Sequence, residues 1–194
     1  MDDTAQLLER LLATALLPLW LLAGFADSLC HRAQRIEETA GLKESLLHWL
    51  MLLELGAGVL AALLLQVNAG VLALTWMACA AHELTMCCDL AYASSRRRIP
   101  AHEQWVHGFQ HMLPWVAWLL LAVIHRGQAA ALLGLGPTMA DWTLQWKSPP
   151  LPVGYVVTVV AAAAVLVVAP LGVELSRCLR TARGKAPSGS GPSR

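Results

Sequence analysis

The chain has 194 residues, is 57% hydrophobic and only 14% charged, and carries a formal net charge of +1. A soluble domain would hold about a quarter charged residues. The near-neutral balance argues against a nucleic-acid partner, and the apolar excess points to an all-α integral membrane protein.

Five apolar runs near twenty residues each set the expected spans, at residues 7–25, 46–65, 71–92, 104–124 and 153–173. The first is preceded by Met1-Asp2-Asp3, acidic where a signal peptide is basic, so it is expected to stay in the mature protein. A Gln66-Val67-Asn68-Ala69-Gly70 turn leads into the third span, and Pro100 precedes the fourth. The stretch 127–152 contains Trp142 and Trp146 and reads as an interfacial connection. The fifth span is Val/Ala-rich with few polar atoms. Residues 1–183 therefore form one helical bundle, and the Gly/Ser/Pro-rich residues 184–194 read as a disordered tail. Continuous runs of this length exclude a β-barrel of alternating strands.

Basic residues set the expected orientation. Arg32, Arg35 and Lys43 lie between spans one and two, and Arg96, Arg97 and Arg98 between spans three and four. Arg177, Arg180, Arg183, Lys185 and Arg194 follow span five, leaving only Arg10, Arg126 and Lys147 for the opposite side. The positive-inside rule then places the N-terminus outside and the C-terminus in the cytoplasm, with a bacterial inner (plasma) membrane as the expected location.

Histidines and acids gather at that same side. Asp27 and His31 form an i,i+4 pair, and Glu38 joins their face if the helix continues past the membrane. Glu44 and His48 repeat the pair at the start of span two. His82 and Asp89, seven apart, share a face in span three, and Glu103, His107 and His111 make a stripe opening span four. Ionisable groups in a span are costly, face the bundle interior and mark function. Mixed imidazole and carboxylate ligation suits iron, manganese or zinc. These nine residues (Glu38 apart) are the expected ligands of two metal ions on the cytoplasmic side. Glu54 and Glu83 lie off the stripes and are expected, with Glu38, to orient ligands or relay protons. Arg35 and Arg98 are candidate contacts for a lipid headgroup. The hairpins also repeat a pattern, Asp27…Glu44-x-x-x-His48 and Asp89…Glu103-x-x-x-His107.

The arrangement loosely resembles the membrane-embedded di-iron hydroxylases and desaturases, which carry histidine boxes at the cytoplasmic ends of a few spans. His107 and His111 match an H-x-x-x-H box, no H-x-x-H-H box is present, and the carboxylate content is higher. What the resemblance implies is an oxidoreductase with a di-iron site, an apolar or lipid-like substrate and an electron donor. A zinc-dependent intramembrane hydrolase is the alternative, similar to the ceramidase and adiponectin-receptor-like proteins. There His82, His107 and His111 would hold one zinc and Asp89 or Glu103 would act as base. A non-enzymatic haem or metal-binding role is a third reading, weakened by the carboxylates beside nearly every histidine.

Overall fold

A computed structural model of the chain describes residues 3–184, so the tail from residue 185 onward lies outside the described residues. Among the described residues the structure is helical, with no strand beyond a single isolated bridge between Leu65 and Trp146. Helices α1 (Asp3–Gln34), α2 (Leu42–Leu64), α3 (Ala69–Ser94), α4 (Ala101–Ile124), α5 (Arg126–Leu132) and α6 (Val153–Gly184) follow in order. All but the short α5 are long and apolar enough to cross a membrane.

Both α1 and α6 run well past their expected borders, to Gln34 and Gly184. The reason is that hydropathy stops at the edge of the apolar run, whereas helical hydrogen bonding continues through the amphipathic turns that follow. Gly184, assigned to the tail by composition, is thus helical. Each of these two helices also contains a widened π turn, at Leu12–Leu16 and Ala164–Val168, ending two residues before a proline. Proline lacks the N–H that would close the ordinary ladder there.

Helix contacts close into a ring. α1 packs on α4 and α6, α2 packs on α3 and α6, and α3 completes the circuit against α4. At one end the α2–α3 turn is held by Asn68, whose side chain accepts the Val71 N–H at 3.0 Å as an N-cap. The segment after α5 lies against this turn, with Gln66 N–H donating to Gln145 O and Gly70 N–H to Asp141 O. A Cβ on Gly70 would stand 3.2 Å from the Trp142 backbone, so the close approach requires glycine. Residues 141–147, expected only to rest at an interface, thus form a fixed cover over the turn.

The opposite end carries the loops at residues 35–41 and 95–100 and most of the arginines. Here α1 stops because Arg35 adopts a left-handed conformation (φ 48°). The large exposed side chains along the spans are apolar, among them Leu22, Leu53, Leu84, Leu119 and Val157. The polar groups of the spans are turned inward at the basic end.

Candidate metal centre

Helical spacing places the site residues in pairs. Asp27 and His31 are one turn apart on α1, Glu44 and His48 on α2, and Glu103 and His107 on α4. Asp89 comes from α3, Arg97 from the loop that follows it, and Glu174 from α6. The ring of helices turns all of them into one interior. Glu44, Glu103 and His31 are fully buried, and even Asp27, the most exposed of these acids and histidines, retains only 9% of its accessible surface.

The contacts cross between hairpins. His107 Nε2 lies 3.1 Å from Asp27 Oδ1, and His31 Nε2 lies 3.4 Å from that same oxygen. Glu103 Oε1 is 3.6 Å from His31 Nε2. On the other side His48 Nε2 stands 3.6 Å from Asp89 Oδ2. The histidine of each hairpin's second helix therefore meets the aspartate of the other hairpin's first helix. Arg97 sits between the two halves and donates to Glu44 at 2.6 Å and to Glu103 at 3.0 Å. Burial alone would lower the Arg97 pKa, but its hydrogen bonds to Glu103 and Glu44 outweigh that and hold it above its ordinary value.

Glu174 organises the histidines from behind. The His31 and His48 rings stack at 4.3 Å with 7° between their planes. Their Nδ1 atoms lie 3.1 and 2.9 Å from the two oxygens of the Glu174 carboxylate. One carboxylate is placed to accept an N–H from each ring, and in that tautomer both Nε2 lone pairs face the interior. This carboxylate–histidine arrangement commonly stands behind metal-ligating imidazoles. His31 Nε2, Asp27 Oδ1, Asp89 Oδ1 and His107 Nδ1 have no hydrogen-bond partner. Buried polar atoms of this kind call for an explanation, of which an ion is one.

Two sets of residues could each hold a metal ion: Asp27, His31, Glu103 and His107, and His31, Glu44 and His48. Within each set the ligand atoms lie within 4.8 Å of one another, and His31 belongs to both. Charge points the same way. Asp27, Glu44, Asp89, Glu103 and Glu174 are buried acids, and Arg97 is the one guanidinium among them. With neutral histidines, four negative charges remain, which is the charge that two divalent cations cancel. Uncompensated buried charge is strongly disfavoured.

The remaining sequence candidates fall elsewhere. His82 is buried, belongs to neither set, and has no hydrogen-bond partner on either ring nitrogen. It lies close to the Gln110 carbonyl, which Pro114 deprives of its helical donor. His111 also stands outside both sets and pairs with Glu83, Nδ1 to Oε1 2.8 Å, on a partly exposed face. The three-histidine set of the hydrolase reading is therefore not assembled as one group among the described residues. Glu54 accepts a hydrogen bond from Thr85 at 2.8 Å. Glu38 does not extend the Asp27–His31 face, because α1 ends before it; it is exposed and pairs with Arg35. Arg98 is exposed and no described acid pairs with it.

Glu174 and the bridging role of Arg97 were missed from sequence. Glu174 stands one residue beyond the expected fifth span, at the depth of the other acids, and that placement was the available signal. No family model matches the chain, and neither does any curated protein or solved structure.

Replacing Glu174 with glutamine should weaken metal binding by about 10–100-fold, the usual cost of losing a carboxylate behind a ligating histidine. Glutamine preserves the size but offers one acceptor oxygen for two N–H donors. Metal titration of the purified variant checks this, and an unchanged affinity would remove Glu174 from the site.

Proposed function

We propose that the protein is a membrane metalloenzyme with a dimetal, di-iron centre that oxidises an apolar or lipid-like substrate. The observation that carries the proposal is the pair of overlapping ligand sets around His31, backed by Glu174 and built from buried carboxylates. A carboxylate-rich, histidine-containing pair of sites built from facing helices is the form that di-iron and di-manganese carboxylate bundles take. Bound iron would supply the activation of dioxygen. One oxygen atom would enter a substrate C–H bond and the other would leave as water, with an external electron donor supplying two electrons and the solvent supplying two protons.

The chain's own residues have three tasks in this scheme. Asp27, Glu103 and Glu44 hold charge in a dry interior where it cannot be solvated. Glu174 keeps two imidazoles in the ligating tautomer. Arg97 restrains Glu44 and Glu103, each of which keeps lone pairs free for an ion. The proposed orientation puts this centre on the cytoplasmic side, as the distribution of arginines suggests.

Protein purified from membranes should hold two metal equivalents per chain, iron by elemental analysis, with a coupled di-iron Mössbauer spectrum. Zinc alone, at one equivalent, would overturn the oxidative reading in favour of hydrolysis. A chelator should also lower the melting temperature. Metal at 1,000 times its dissociation constant stabilises the folded state by about 4 kcal/mol. A melting temperature indifferent to chelation would count against any buried metal.

A further inference from the structure

We propose that the groove between α3 and α4 at the basic end binds a single-chain anionic lipid, its head on Arg98 and its chain passing His107. As the substrate site of the proposed centre it deepens that reading and rests on it, while the binding itself can be tested separately.

The groove is open on one side, offers ≈ 610 Å³ and is lined from both helices and from the loop between them. That volume falls among ordinary ligand sites, which run about 300–1,000 Å³. His107 lines it, although the Nε2 atom of the same ring contacts Asp27 inside the cluster. The imidazole is therefore the wall between groove and metal centre. Leu90 and Ile99 supply apolar sides. Gly108 borders open space, since a Cβ there would meet nothing within 4 Å.

Charge selects the occupant. No acid lines the groove, whereas Arg97 and Arg98 both do. Arg97 is taken by Glu44 and Glu103, and Arg96 lies over the Tyr92 ring. Arg98 alone of the three is free to pair with an anion, and a guanidinium suits a carboxylate or phosphate head. From Gln104 to His111 the groove follows seven residues of α4, about 10 Å at 1.5 Å per residue. It thus runs along the helix axis, as a lipid chain does, and a cleft between two neighbouring helices admits one chain.

The probe is a palmitate analogue with a photoreactive diazirine in its chain, added to the full protein in phosphatidylcholine nanodiscs. Crosslinks should map to residues 90–111 and be suppressed by excess palmitate, but not by hexadecanol or inorganic phosphate. Labels spread evenly over the five long helices, or competition by hexadecanol equal to that of palmitate, would overturn the proposal. Suppression by inorganic phosphate would reassign the site to a free anion. Arg98→Glu should cut labelling by about ten-fold or more, the worth of one hydrogen bond to a charged group. Gly108→Leu should abolish it by filling the channel, with metal content unchanged in both variants. Full labelling of both variants would also overturn it, and the wild-type map decides the question even if Gly108→Leu does not fold. Labelling that persists after the metal is stripped supports the groove and separates it from the metal reading.

Discussion

His31→Ala should lower metal content more than any other single histidine substitution, because His31 is the one residue common to the two ligand sets and its Nε2 completes whichever of them it serves. Its loss also frees Glu174 Oε2 and removes the ring that stacks on His48, so the second set loses its geometry as well as a ligand. Each neighbouring histidine should cost less. His48→Ala should leave the position formed by Asp27, His31, Glu103 and His107, and His107→Ala should leave the one formed by His31, Glu44 and His48. His82→Ala and His111→Ala should keep both ions, since neither residue belongs to a set. Elemental analysis of the five variants gives the pattern directly. Full metal retention in His31→Ala would dismiss the shared-ligand arrangement, and loss of metal in His82→Ala would return that residue to the site.

Arg97→Gln should have the largest effect on stability. Removing the guanidinium leaves Glu44 and Glu103, both fully buried, facing one another without a counter-charge. Breaking a buried ion pair by deleting one partner costs about 3–5 kcal/mol. That is a large share of the roughly 5–15 kcal/mol by which a protein is stable. The loss should be greatest in metal-free protein and should shrink when excess divalent metal is supplied, because the cations then compensate the same carboxylates. Thermal unfolding in detergent with and without metal separates the two cases. An equal loss in both would assign Arg97 a purely structural role, independent of any ion.

Much of the fold was legible because helices long and apolar enough to cross a membrane announce themselves by length. Each of the five apolar runs corresponds to a long helix, and the Pro100 entry falls at the expected helix start. The i,i+4 pairs were legible for the same reason. Helical pitch alone puts Asp27 with His31, Glu44 with His48 and Glu103 with His107 on single faces. Pitch also grouped His82 with Asp89 and His111 with His107, whereas neither His82 nor His111 stands in a ligand set. A stripe two turns long on one helix reaches past the depth at which the facing helices offer partners, so its far members meet a different neighbour, Glu83 in the case of His111.

The sequence by itself determined the all-helical class, the five long apolar helices and which residue types stand at the basic end, because these depend on composition and on periodicity along one chain. Tertiary structure decided who meets whom. The crossing of His107 to Asp27 and of His48 to Asp89, the bridging of two acids by Arg97, and the single carboxylate of Glu174 behind two stacked imidazoles all depend on the order of helices around the ring. That order is set by packing between segments distant in sequence: Glu174 lies 143 residues from His31, a separation at which no local pattern carries information.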